Sequence, residues 1–205
     1  MRYFVWGLLF ACLVSAAPAM SATEAPTGDV PDADSGVVEI APEVEPEDPL
    51  EANRIGRSVE TLPAPVRETW QALVDAARSG DIEALRPLIA AQHEPPTFAF
   101  GEIDDPIAHM KSLSGDPEGR EILAILLEVL EIGFVRVDPG TENEMYVWPY
   151  FADIPLERLT ASQVVELFTI LTAGDYQDML SYGAYIFFRV GISPDGQWHF
   201  FVAGD

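Results

Sequence analysis

The four residues Ser193-Pro194-Asp195-Gly196 separate two apolar segments, residues 184–192 and 197–203. Proline, aspartate and glycine in this order favour a type I turn followed by a glycine bulge, which places Ser193 opposite Gln197. The two segments are therefore predicted to pair as an antiparallel hairpin. This hairpin therefore belongs to a β-sheet, and another layer of structure must cover the apolar face of that sheet.

The register of this hairpin predicts which side chains enter the core. We expect three apolar pairs on the core face: Ile192 with Trp198, Val190 with Phe200, and Phe188 with Val202. The other face then carries Tyr185, Phe187, Arg189, His199 and Phe201. Because side chains alternate between the faces of a sheet, a one-residue slip would mix the two sets. This register makes Phe200 a core residue and leaves Phe201 only partly covered.

Helical spacing of apolar residues predicts helices over about 64–78, 82–91 and 160–172. Asp81 and Thr160 are suited to cap the second and third of these, and Asp175 to cap a short helix after Gly174. The Asp-Pro pairs at 105–106 and 116–117 predict two further helix starts. The helix over 117–131 is apolar nearly all round, which predicts that it is central and buried.

Short apolar segments predict strands at 97–100 and in a first hairpin over 134–148. Helices and antiparallel pairs in this order predict an α+β fold. Its small antiparallel sheet consists of the hairpins 134–148 and 184–203, and helices cover it.

Residues 1–22 have the pattern of a secretory signal peptide. Arg2 precedes an apolar run over residues 3–14, and small residues continue to Ala22. We therefore expect an exported protein, located in the periplasm. Two alternatives are an uncleaved membrane anchor formed by residues 1–22 and lipidation of Cys12.

Cys12 is the only cysteine in the sequence. A chain that is cleaved after this position has none, which excludes disulfides, thiol catalysis and cysteine-ligated zinc. The sequence therefore predicts a domain held together by its apolar core, with no cofactor and no metal site.

The formal net charge of −23 restricts the class of partner, and Lys111 is the only lysine. Such a surface is repelled by nucleic acids and by anionic membranes. We expect a protein or a small molecule as the partner, no nucleic acid, and no membrane unless residues 1–22 are retained or Cys12 is lipidated.

Much of the acidic charge precedes the predicted helices. Residues 23–51 contain ten acidic residues, no basic ones, five prolines and no aromatic residue. Such a composition cannot bury enough apolar surface to offset the entropy of ordering. We expect residues 23–61 to form a disordered linker, acting as a tether or a plain spacer, and residues 62–205 to form a single α+β domain.

Two groups of residues are candidates for a binding site. The predicted hairpin register brings His199 near Arg189 and Tyr185, and a histidine beside an arginine could bind an anion or hold a carboxylate. The alternative is a His199 ring that packs on Phe187 and Phe201.

The second group, Glu144, Tyr146 and Trp148, lies on one face of the preceding strand. Aromatic rings beside a carboxylate suit stacking on a sugar or a peptide, and they suit an ordinary half-buried strand equally. If the two hairpins share one sheet, both groups could adjoin and form a single site.

No P-loop, dinucleotide glycine pattern, His-Glu-x-x-His motif or nucleophile elbow is present in the sequence. No residue is therefore assigned a catalytic role. The sequence favours a non-enzymatic, exported cell-envelope module that binds a ligand. The alternative is a periplasmic hydrolase-like or lyase-like enzyme that uses His199 with a carboxylate.

Two parts of the sequence resemble known groups of proteins. Residues 146–153, Tyr-Val-Trp-Pro-Tyr-Phe-Ala-Asp, together with residues 189–205, resemble a group of exported alphaproteobacterial proteins of unknown function. That resemblance implies an envelope protein and supplies no chemistry. Residues 76–85, Ala-Ala-Arg-Ser-Gly-Asp-Ile-Glu-Ala-Leu, resemble the helix–helix start of the cystatin-like, NTF2-type folds. The long helix predicted over 117–131 departs from that pattern.

Overall fold

The computed structural model describes residues 54–204, all of which belong to one compact unit. Five strands form an open antiparallel sheet in the order β1-β2-β3-β4-β5, each beside its neighbour in sequence. They are β1 (Ile55–Gly56), β2 (Phe134–Val137), β3 (Met145–Trp148), β4 (Arg189–Ile192) and β5 (Trp198–Val202). Together with the helices, this sheet confirms the predicted α+β class.

Six α-helices accompany the sheet in the described residues. They are α1 (Ala64–Ser79), α2 (Leu85–Ala90), α3 (Pro106–Leu113), α4 (Arg120–Glu131), α5 (Ala161–Leu167) and α6 (Ala173–Tyr182). Short 3-10 turns occupy Val59–Thr61, Ile82–Ala84, Tyr150–Asp153 and Leu156–Arg158. None of these helices is both long enough and apolar enough to cross a bilayer.

The capping residues agree in part with the sequence pattern. Asp105 and Thr160 cap α3 and α5 as predicted, and Thr160 forms a capping box with Gln163. The cap of α6 is Thr172, and the predicted cap, Asp175, is the third helical residue that completes a second capping box. A carboxylate three residues into a helix bonds back to the cap backbone, so the two roles share one sequence signature.

The central helix begins three residues later than predicted. The carboxylate of Asp116 accepts hydrogen bonds from the backbone N–H groups of Arg120, at 3.1 Å, and Glu121, at 2.9 Å. These are donors that the first turn of a helix leaves unsatisfied, so Asp116 caps α4 from outside it. Leu126 and Val129 are fully buried, which confirms that this helix is central.

Apolar cores lie on both faces of the sheet. The first is formed with α1, α3 and α4 and includes Phe134, Tyr146, Trp148 and Trp198 from the strands. The second is formed with the segment 150–185 and includes Val135 and Val147 from the strands. Side chains on both faces of the central strands are therefore removed from solvent.

The final hairpin has the predicted turn but a different register. Gly196 N donates to Ser193 O at 2.9 Å, and Ser193 N donates to Gln197 O at 3.0 Å, as the predicted turn requires. Ile192 pairs with Trp198, also as predicted. The register then shifts, and Gly191 pairs with Phe200, so His199 is the extra residue of a β-bulge.

This bulge reverses the alternation along β5. Phe201 is only 2% exposed and belongs to the first core, whereas Phe200 is half-buried and packs against the second. The prediction that Phe200 pairs with Val190 in the first core, with Phe201 less covered, is therefore wrong. Both positions are phenylalanine, so the apolar pattern could not reveal the bulge.

The predicted strand at 97–100 is reduced to one bridge, between Thr97 and Phe200. Thr97 N donates to His199 O at 2.8 Å, and Phe201 N donates to Thr97 O at 3.0 Å. This segment thus satisfies the backbone groups on both sides of the bulge and holds it in place.

Ordered structure begins before the predicted boundary at Leu62. Ile55 pairs with Val135 in the sheet, and ion pairs join Arg54 to Asp153 and Arg57 to Glu166. Residues 54–61, which we expected in the linker, are thus part of the fold. The predicted signal, residues 1–22, and the rest of the predicted linker, up to residue 53, lie outside the described residues.

Candidate functional site

Three segments that are distant in sequence meet at one end of the sheet. They are the β2–β3 turn, the β4–β5 turn and the chain that follows α2. Gln197 joins the last two. Its side-chain oxygen accepts from His93 N at 3.0 Å, and its amide nitrogen donates to Glu94 O at 2.7 Å. The Gln197 side chain therefore holds the β4–β5 turn against the backbone of the segment that follows α2.

An open cleft of about 470 Å³ lies between these segments. This volume falls within the range of small-ligand sites. Its lining is polar and comprises His93, Glu94, Thr141, Glu142, Glu144, Ser193, Pro194, Asp195, Gln197 and His199. None of these ten residues is lysine or arginine, and four are carboxylates.

Glu144 is the most buried carboxylate of the cleft. Its side chain accepts from Arg136 Nε at 2.7 Å and from Gly140 N at 2.6 Å. The hydrogen bond from Arg136, followed by that from Gly140, holds the pKa of Glu144 below its usual value. Glu144 is therefore ionised at neutral pH, and each of its two carboxylate oxygens accepts one of these hydrogen bonds.

His199, Ser193 and Asp195 form a second polar group. His199 Nε2 lies 2.9 Å from Ser193 Oγ, and this hydroxyl donates to Asp195 Oδ1. The Ser193 hydroxyl has one proton. When it is donated to Asp195, the contact with His199 requires the tautomer that carries a proton on Nε2. The hydrogen bond from Ser193 is also the main reason that the pKa of Asp195 is lowered.

The cleft brings together only two of the six residues singled out in the sequence, Glu144 and His199. Tyr146 and Trp148 share a strand face as predicted, but that face lies in the first core, where they are 6% and 0% exposed. Rings in this position contact Phe134 and cannot stack on a ligand.

Tyr185 and Arg189 lie together but apart from the cleft lining. The Arg189 guanidinium donates to Tyr185 O at 3.4 Å, and the Tyr185 hydroxyl donates to Phe188 O at 3.0 Å. Tyr185 is buried in the second core, which raises the pKa of its hydroxyl. The bulge at His199 shifts the register, so Arg189 pairs with Val202 and is not among the residues that line the cleft with His199.

Sequence reasoning missed the residues that build the walls. Ser193 could have been found from the predicted turn, since a turn that places it opposite Gln197 also places it near residue 199. His93 and Glu94 could not be found this way. Their position depends on a contact with Gln197 across about one hundred residues of sequence.

The fold and site together define an α+β protein with an open five-stranded antiparallel sheet and a polar, acidic cleft at one sheet end. No protein-family model matches the chain, and no curated protein or solved structure matches it. Within residues 54–204, no group of three or more histidine, cysteine or acidic side chains is arranged to hold a metal ion. The geometry of the cleft is therefore the basis for a functional proposal.

Proposed function

We propose that this protein is an exported cell-envelope module without enzymatic activity, which binds a ligand in the cleft at the end of its sheet. The observation that carries the proposal is the cleft itself, about 470 Å³ in volume and built from three segments. Two of them are joined by Gln197. A site with fixed walls loses little conformational entropy when a ligand enters.

A binding role is favoured because the cleft groups that could act as a base or a nucleophile already form hydrogen bonds within the protein. Glu144 is held by Arg136 and Gly140, and the hydroxyl proton of Ser193 points to Asp195. A serine nucleophile needs its proton directed at a base such as the histidine. When the Ser193 hydroxyl donates to Asp195, its proton is directed away from His199.

Export rests on the sequence of residues 1–22, which have the charge, apolar run and small residues of a secretory signal. The acidic segment that follows would serve as a tether. The test is to express the full chain in a bacterium, separate periplasm from cytoplasm, and measure the intact mass. We expect a periplasmic protein that has lost the signal. A full-length mass, or a lipid adduct on Cys12, would show the corresponding anchored form.

The binding role is tested by NMR on isotope-labelled protein, using a fixed panel of probes. The panel consists of capped tripeptides of lysine, glutamate and alanine, and the disaccharide of N-acetylglucosamine. We expect at least one probe to shift the amide resonances of Glu142, Ser193 and His199 in a saturable way. A panel that moves none of these resonances would overturn the cleft as a binding site.

One observation favours the alternative, a hydrolase-like enzyme. His199 and Ser193 are within hydrogen-bonding distance in an open cleft, and a carboxylate, Asp195, contacts the same hydroxyl. Rearrangement of one hydrogen bond would give a serine–histidine pair. The test is hydrolysis of p-nitrophenyl acetate by the wild-type protein and by Ser193→Ala. Equal rates are expected, and a rate that falls at least tenfold in the variant would support the enzyme.

A further inference from the structure

The sign of the charge in the cleft indicates which class of ligand it can take. Glu94 and Glu142 lie on the walls and are exposed, and among residues 54–204 neither takes part in an ion pair. The other two lining carboxylates, Glu144 and Asp195, have lowered pKa values. The cavity thus presents two uncompensated carboxylates to an occupant, in addition to two that are bonded within its walls.

We propose that the cleft binds a basic peptide segment, with a lysine or arginine side chain inserted between Glu94 and Glu142. The proposal rests on the binding function proposed above and names its ligand class. The volume of about 470 Å³ holds one or two side chains rather than a folded surface. An ammonium or guanidinium group would meet oxygen acceptors from two of the three segments, whereas an anion would meet no lysine or arginine among the lining residues.

The walls supply further acceptors for such a group. Thr141 lies in the β2–β3 turn beside Glu142. Its carbonyl oxygen accepts from Glu144 N at 3.3 Å, and a carbonyl oxygen has a second lone pair that can accept from a further donor. Gln197 holds the backbone of Glu94 in position through its amide nitrogen. The carboxylate of Glu94 is therefore carried on a fixed segment, and the cost of ordering it on binding is reduced.

The experiment is a titration of the full chain with the capped lysine tripeptide, followed by NMR at neutral pH. We expect saturable shifts centred on Glu142 and His199. The double variant Glu94→Gln/Glu142→Gln should weaken binding by about threefold to tenfold, as loss of two exposed charge contacts implies. The control is Glu102→Gln/Glu157→Gln, which makes the same change in net charge at exposed positions outside the lining.

The outcomes separate this proposal from the binding function itself. Binding of the alanine or glutamate tripeptide, without the lysine one, would leave a binding site and overturn the basic ligand. Equal losses in the cleft variant and the control would show general attraction to an acidic protein and would also overturn it. Spermidine, tested in parallel, distinguishes a free amine from a peptide: if it binds tenfold more tightly than the tripeptide, the peptide is not the ligand.

Discussion

The amide nitrogen of Gln197 donates a hydrogen bond of 2.7 Å to the backbone oxygen of Glu94, a residue 103 positions earlier in the chain. The same side chain accepts from His93 N at 3.0 Å. One glutamine therefore closes the wall of the cleft, and it does so by satisfying backbone groups that a surface loop would otherwise leave to water.

Replacing Gln197 with alanine should destabilise the protein and loosen the cleft. The variant loses two hydrogen bonds to the 93–94 backbone, each of which contributes about 0.5–1.5 kcal/mol. We expect a loss of about 1–3 kcal/mol in urea unfolding and faster amide exchange at His93. Gln71→Ala is the matched control, because its amide reaches only Asp75 on the exposed side of α1. Equal stability of the two variants would show that the contact does not fix the wall.

The bulge at His199 reverses which of two adjacent phenylalanines should contribute more to the stability of the protein. Phe201 is 2% exposed in the first core, so Phe201→Ala should cost about 3–5 kcal/mol. Phe200 is half-buried, and Phe200→Ala should cost clearly less. Chemical denaturation of both variants measures the difference. A larger loss of stability in Phe200→Ala than in Phe201→Ala would indicate the regular register and contradict the bulge at His199.

The segment before α1 should contribute to stability through Arg57. Its guanidinium bonds to Glu166 at 2.7 and 2.8 Å and lies 5.0 Å from the centre of the buried Tyr150 ring. Arg57→Ala should cost about 1–2 kcal/mol, the range for charge-assisted hydrogen bonds that remain partly exposed.

The control for Arg57 is Arg78→Ala, which removes an exposed ion pair with Glu131. Such pairs contribute about 0–1 kcal/mol. Thermal unfolding of the two variants should therefore separate them. If Arg57→Ala melts with the wild type, the contacts of Arg57 do not stabilise the segment over 54–61.

Asp116 should make the stability of the protein depend on acid pH. Hydrogen bonds from the Glu121 backbone and from Ser114 hold the pKa of Asp116 far below its usual value. A carboxyl whose pKa is lowered by folding stabilises the native state above its unfolded pKa, near 4, and loses that effect as pH falls. Asp116→Ala should thus have a lower unfolding midpoint at pH 7, and the gap to the wild type should narrow below about pH 4. A gap that stays constant down to pH 2 would show that Asp116 does not cap α4 as an anion.

The local elements of this fold follow from local sequence. The turn at 193–196, the caps at Asp105 and Thr160, and the buried helix near 120–131 each depend on a few neighbouring residues. For the same reason the α+β class could be predicted, since it needs only the order and type of the elements.

The site depended on contacts that no local pattern records. The sequence by itself determined the turn that carries Ser193 and the strand that follows Glu144, and it identified His199 as a candidate. Only the tertiary structure decided that Thr97 holds a bulge at His199, that both faces of the sheet are cores, and that His93 and Glu94 complete the cleft. The physical reason is that a bulge placed just before two adjacent phenylalanines leaves the apolar pattern unchanged, while the hydrogen bonds that select it come from a segment about one hundred residues away.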